Sequence, residues 1–248
     1  MVVGKALAME NKLNIDKHTS QRYNAELEAL RNRVLTMGGL VERQCQQALE
    51  ALIKGDTELA SSVVRDDYQV NDLEVEICDQ CTDILARRQP AASDLRMIVA
   101  IIRMVANLER IGDEAAKVAR MARKLADTRD RNAYTAEPLH LGEGVLGMLQ
   151  GALDAFARTD VQAAIEIIAR DLEIDREFKS LNRLLISHIM EQPQRVKNIL
   201  RVNSCARALE RIGDHAANLC EEVVYLVRGA DVRHLSVDEI KQRYQSRT

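Results

Sequence analysis

The segment Leu108-Glu109-Arg110-Ile111-Gly112-Asp113 recurs unchanged as Leu209-Glu210-Arg211-Ile212-Gly213-Asp214, and one variable residue and two alanines follow each copy. Chance does not explain this, so the chain must fold in a way that uses one unit twice. Upstream, Val63-Val64 with Asp67 four residues before Asn71 is matched by Ile167-Ile168 with Asp171 four before Asp175, and Asp56 is matched by Asp160. The period is about one hundred residues, too long for a solenoid, which points to duplication of a whole multi-helix unit.

Each unit reads as three helices. Apolar residues recur at three- and four-residue steps through Tyr23, Leu27, Leu30, Val34, Met37, Val41, Cys45, Ala48 and Leu52, which predicts a first helix from about residue 23 to 53. Lys54-Gly55-Asp56 stops it, and Asp56 caps a second helix that runs unbroken to Arg88, ahead of Pro90. Ser93 or Asp94 caps a third, through Leu95, Ile98, Ile102, Val105, Leu108, Ile111, Ala115, Val118 and Leu125. In the second unit Pro138 suits the first turn of a helix ending near Arg158. Asp160 then caps one running to about Glu191, and Pro193 precedes a last one ending near Arg228. All three prolines thus fall at helix junctions, where the cost of about 3 kcal/mol for breaking a helix interior is avoided.

The expected architecture is all-α, two tandem three-helix bundles related by a pseudo-twofold axis. The boundaries are a flexible tail over 1–20, a first bundle over 21–126, a polar linker over 127–137, a second bundle over 138–229 and a C-terminal segment over 230–248. With 3% aromatic residues and no Trp, the core must be filled by Ala, Leu, Ile, Val and Met. A net charge of −3 gives no global field for nucleic acid or anionic lipid, and no apolar run approaches the roughly 18 residues of a membrane span. The expected location is the cytoplasm. Five cysteines, an odd number, suit reduced thiols, and the lone Cys78-x-x-Cys81 reads as buried small side chains.

The chemistry lies in the acids. Residues four apart on a helix share a face, so Glu109 with Asp113, and Glu210 with Asp214, present paired carboxylates to one point, and their repulsion invites a cation between them. Asp67 with Asn71 and Asp171 with Asp175 stand on neighbouring helices and are placed to complete an oxygen-rich site. Such ligation suits hard ions of the magnesium, calcium, manganese or ferric iron class. The competing reading leaves these acids as a solvated face or pairs them with Arg103, Arg110, Arg207 and Arg211. Gly112 and Gly213 lie inside helices and predict a close backbone approach by a neighbouring helix, and Gly38-Gly39 predicts close packing or a partner contact. Templates for a P-loop, zinc protease, nucleophile elbow or dinucleotide fold are lacking, and Glu137-x-x-His140 has no second copy to make a di-metal oxidase.

His18 through Glu28, Met37-Gly38-Gly39-Leu40-Val41-Glu42, Arg88-Gln89-Pro90 with Ser93-Asp94-Leu95-Arg96, and the two LERIGD segments resemble the PhoU family over nearly the whole chain. The resemblance implies a non-enzymatic adaptor: a negative regulator of the phosphate-starvation (Pho) regulon that links the ATPase of the high-affinity phosphate ABC transporter (PstB-like) to the sensor histidine kinase PhoR. It would meet the membrane only through those partners, and a homodimer is expected. The resemblance further implies multinuclear clusters of iron, manganese, magnesium or a similar ion on Asp67, Glu109, Asp113, Asp171, Asp175, Glu210 and Asp214. Asn71 departs from the family's carboxylate pair, so the first site is expected to bind more loosely. A metal-dependent helical-bundle enzyme or a metal-storage protein is the alternative.

Overall fold

The computed structural model describes residues 21–126, 128 and 136–244. Among them are eight α-helices and no strand: α1 (Gln21–Lys54), α2 (Thr57–Asp66), α3 (Tyr68–Arg88), α4 (Ala92–Ala126), α5 (Ala136–Arg158), α6 (Val161–Glu191), α7 (Val196–Arg228) and α8 (Val237–Tyr244). Every residue of the apolar stripe expected in the first helix is buried, from Tyr23 to Leu52. Side chains such as Leu27, Leu30 and Val34 each contribute about 1.5–3 kcal/mol by leaving water. The two expected caps form alike: Asp56 Oδ1 accepts from the Glu58 and Leu59 amides, and Asp160 Oδ1 from those of Gln162 and Ala163. The residue before each cap is left-handed, Gly55 in the first unit (φ 66°) and the buried Thr159 in the second (φ 50°), where a β-branched side chain makes the conformation costly.

Three boundaries differ from the expectation, and one further helix appears. The second helix is interrupted at Asp67, which keeps right-handed helical angles (φ −57°, ψ −30°), so α3 continues the course of α2 with a break in the hydrogen-bond ladder. The third begins at Ala92, which places Ser93 and Asp94 in its first turn; Asp94 is buried and accepts from Tyr23 Oη at 3.1 Å. The linker ends earlier than Glu137, because α5 starts at Ala136; residues 127 and 129–135, the tail over 1–20 and residues 245–248 lie outside the described residues. The C-terminal segment contains α8, started by a capping box in which the Ser236 amide and hydroxyl donate to Glu239 Oε2 and the Glu239 amide donates back to Ser236 Oγ.

The motif helices are the centre of each unit, α4 packing on α1, α2 and α3, and α7 on α5 and α6. The units join through counterpart helices, α4 along α7 and α1 against α5. The second contact shows the pseudo-twofold at atomic detail. A Cβ on Gly142 would lie 2.7 Å from Leu49 Cδ1, and one on Gly38 would meet the counterpart Leu153 more closely still. Each unit thus receives the other's leucine over a glycine. Gly39, by contrast, is exposed, with nothing within 4 Å of a Cβ, so the close packing expected of the glycine pair belongs to Gly38 alone. The α4–α7 seam carries polar links: Asn107 Oδ1 accepts from His215 Nδ1 (3.0 Å) and Asn218 Nδ2 (3.2 Å), while Arg211 pairs with Glu114 at 2.9 Å and Arg103 with Glu222 at 3.5 Å.

Candidate metal centre

In the second unit the four-residue spacing on α7 and the packing of α6 beside it bring three acids together. One carboxylate oxygen each from Asp175, Glu210 and Asp214 lies within 4.8 Å of the others, all three side chains being half-buried. Asp171, one turn before Asp175, adds its charge: burial and the Asp214, Asp175 and Glu210 carboxylates push it up to about 6. Burial, then the facing acids, raise Glu210 and Asp214 as well. Gly213 stands under this cluster, a Cβ there lying 3.6 Å from Asp171 Oδ1, and Gly112 does the same in the first unit, at 3.3 Å from Asp67 Oδ1. At Gly112 a Cβ would press on Gln44 Oε1 and Asp67 Oδ1, whereas at Gly213 it would make only ordinary contacts, so the close backbone approach expected of both glycines is found at neither.

Among the described residues no arginine forms an ion pair with the motif acids, although Arg207 and Arg211 partly offset the rise of Glu210, and Arg211 that of Asp214. Arg211 and Arg103 are turned across the seam to Glu114 and Glu222, and Arg207 lies over the Phe178 ring. Among the described residues none of Glu109, Asp113, Glu210 and Asp214 makes an ion pair or a hydrogen bond; only Asp175 is paired, with Lys179 at 3.1 Å. Three convergent, half-buried oxygen donors whose charges are only partly offset by Lys179, Arg207 and Arg211 fit a hard cation. His140, from the motif set aside above, is exposed with Nδ1 3.3 Å from Glu177 Oε2. The Cys81 thiol is buried and pushed up to about 12, which makes it a poor ligand or nucleophile near neutral pH.

The PhoU domain profile matches residues 34–122 and, separately, 139–223. The chain belongs to the PhoU family. It is 47% identical over 238 residues to the phosphate-specific transport system accessory protein PhoU homolog of Pseudomonas aeruginosa, covering 96% of this chain and 98% of that one. Against the PhoU accessory protein of Escherichia coli K12 the identity is 42%, with 93% and 95% covered. The crystal structure of PhoU from Pseudomonas aeruginosa superposes with a TM-score of 0.82, 48% identity and coverage of 84% of this chain and 100% of that one.

In this PhoU-family chain the two sites are unequal. After burial, Asp113 raises Asp67, and Asp113, Glu74 and Asp67 raise Glu109, but among the described residues these acids form no trio as tight as that of the second unit. Asn71 is exposed, and Gln44 Nε2 donates to Asp67 Oδ1 at 2.6 Å, using one lone pair of that carboxylate. Gln44 is 6% exposed and its Oε1, which has no hydrogen-bond partner, lies 3.2 Å from where a Cβ on Gly112 would stand; its counterpart in the second unit is the apolar Met148. Arg120 offsets the charge of Asp67, whereas the counterpart Glu221 faces Asp171. Motif spacing marked Asp67, Glu109, Asp113, Asp171, Asp175, Glu210 and Asp214; Gln44 arrives through helix packing with no spacing signal, whereas Glu74, Arg120 and Glu221 were missed although each stands seven residues after a marked acid.

The raised acids set a pH dependence for the metal-free protein. A carboxylate whose folded pKa lies above its unfolded value makes the fold bind more protons, so its contribution to stability is lost as pH rises through that interval, here from about 3.8 to about 6 for Asp171. His215 acts oppositely: burial and two arginines lower it to about 4, and it destabilises the fold as pH falls below 6.5. A difference measurement cancels that term. In chelator-treated protein Asp171→Asn should raise the thermal midpoint at pH 7.5 by about 2–4 °C, after discounting the shift for solvent screening, and the advantage should vanish near pH 4. An advantage independent of pH would show that Asp171 ionises freely.

Proposed function

We propose that the chain is a negative regulator of the phosphate-starvation response, a cytoplasmic adaptor that docks on the ATPase of a high-affinity phosphate transporter and on the sensor kinase PhoR. When phosphate is plentiful it biases the kinase toward its phosphatase state and keeps transcription off. The observation that carries this reading is membership of the PhoU family in both units, with relatives of 42–47% identity named as accessory proteins of phosphate-specific transport. The surface offers material for docking: Ile186, Met190, Val196 and Leu200 stand 38–78% exposed where α6 turns into α7, chemistry that also suits pairing of two copies. No helix of the described residues is long and apolar enough to cross a membrane, so membrane contact would come through those partners.

In the same reading Asp175, Glu210 and Asp214, with Asp171 beside them, hold a hard cation such as iron, manganese or magnesium, and Asp67, Glu109 and Asp113 hold one more weakly. The ion would tie α6 to α7 by oxygen ligation and relieve the repulsion among the acids. Deleting the gene is expected to switch on phosphate-regulated genes in phosphate-rich medium, and the intact chain supplied in trans to silence them. Continued repression after deletion would sink the adaptor reading, and turnover of a phosphate ester dependent on Glu210 would favour the metal-dependent enzyme in its place.

A further inference from the structure

The duplication provides an internal control for every surface, because a feature the fold requires must occur in both units. One groove occurs only in the first. It has a volume of about 820 Å³ and runs between α2 and the end of α4, with Thr57, Ser61 and Arg65 along one wall and Arg120, Arg123 and Lys124 along the other. The first three are four residues apart and share a face of α2. Glu58 is the only acid among the lining residues, and Arg65 also touches Asp66 at 3.0 Å. Arg120, Arg123 and Lys124 are exposed, and among the described residues no carboxylate lies within ion-pair distance of any of them.

Basic residues near a helix C-terminus are ordinarily explained by the helix dipole. That explanation applies to the second unit equally, yet there the positions of Arg120, Arg123, Lys124 and Arg65 are held by Glu221, Val224, Tyr225 and Ala169, and those of Thr57 and Ser61 by Val161 and Ile165. Val161, Ile165 and Val224 are buried there, and α8 packs on α6 and buries Ile240. The second unit fills the matching face with apolar residues and a helix. The first keeps it open, cationic and lined with hydroxyls.

We propose that this groove binds a soluble anion carrying two or more phosphate groups. Guanidinium forks match phosphate oxygens in pairs, and four cations on two facing helices exceed what one carboxylate or one phosphate would use. The volume exceeds the needs of a single phosphate. A nucleic-acid strand is disfavoured by the chain's net charge of −3, and a membrane would meet a flat surface rather than a cleft between helices. The inference stands whether or not the carboxylate clusters hold metal, although Arg120 borders both the groove and Asp67.

The test is calorimetric titration of the full chain with tripolyphosphate. Arg123→Glu/Lys124→Glu alters the groove, and Lys241→Glu/Arg243→Glu on α8 makes the same change in charge elsewhere; circular dichroism verifies that each variant folds. Saturable one-to-one binding is expected, weakened at least about tenfold by the groove pair and unchanged by the α8 pair, with the difference shrinking as salt rises. Binding should also survive in the carboxylate variant Glu109→Gln/Asp113→Asn, which alters the cluster nearest the groove and so separates a phosphate held by the groove from one bridged through a cation. Equal weakening by both charge pairs, absence of saturable binding, or loss in the carboxylate variant would overturn the proposal. So would groove-dependent capture on phosphatidylglycerol vesicles without tripolyphosphate binding, since the phosphate groups would then belong to a membrane.

Discussion

Elemental analysis of protein purified without chelator or affinity tag is expected to find a hard cation in the unmodified chain and little of it in Glu210→Gln/Asp214→Asn. Two of the three carboxylates that converge within 4.8 Å are neutralised by that change, and affinity should fall by roughly a hundredfold or more because oxygen sites are tuned by ligand charge. Glu109→Gln/Asp113→Asn should remove less metal, since the first site has Asn71 for Asp175 and Arg120 where the second has Glu221. The second-unit variant should still fold, because burial, Asp214 and Asp175 disfavour the Glu210 charge, and burial and Asp175 that of Asp214, when no ion is present. Equal metal content in the unmodified chain and the Glu210/Asp214 variant would remove the second carboxylate cluster as the binding site, and equal losses from the two variants would refute the inequality.

Gly38→Ala and Gly39→Ala are expected to change stability in opposite directions although the residues are adjacent in one helix. Alanine is favoured over glycine in a helix by about 1 kcal/mol, and Gly39 has open space around a Cβ, so Gly39→Ala should stabilise by about 0.5–1 kcal/mol. At Gly38 the same Cβ runs into Leu153, which is 8% exposed and held between the units, and overpacking of about 1–3 kcal/mol outweighs the helical gain. Urea denaturation reads both. A cycle with Leu153→Ala should show that the leucine's removal recovers most of the Gly38→Ala penalty; additive effects would mean that the two residues do not meet.

The fold was legible because its signals are local and periodic. Stripes at helical spacing gave the core of the first helix residue by residue, prolines marked the junctions, and the repeated hexapeptide disclosed the two units. Leu95 is an exception, 42% exposed although it continues the stripe, since Asp94, Met97, Ile98 and Ile101 take the inward positions at that end of α4. The break at Asp67 was not legible: its backbone stays helical, and only the hydrogen-bond pattern changes. The start of α8 was readable in principle, since Ser236-x-x-Glu239 is a capping box, but it follows no long apolar run. At the site, ligand pairs four residues apart on one helix could be read from spacing. Arg120 and Glu221 stand seven residues after Asp113 and Asp214 on the motif helices, where spacing could have found them, but Gln44 comes from α1, and a single sequence holds no period that joins it to Asp67.

The exchange of leucines over Gly38 and Gly142 has a historical reading. A contact made twice with the roles reversed is what two identical half-length chains make about a dyad, where each patch is its own complement. An ancestral homodimer of three-helix chains would have been bound by that symmetry, each substitution arriving in both copies at once. Fusion lifted the constraint while the dyad contact stayed. Asn71 opposite Asp175, Gln44 opposite Met148 and Arg120 opposite Glu221 are changes that one gene for a symmetric dimer cannot encode. Covalent linkage thus let one scaffold carry two unlike sites, each free to specialise without altering its twin.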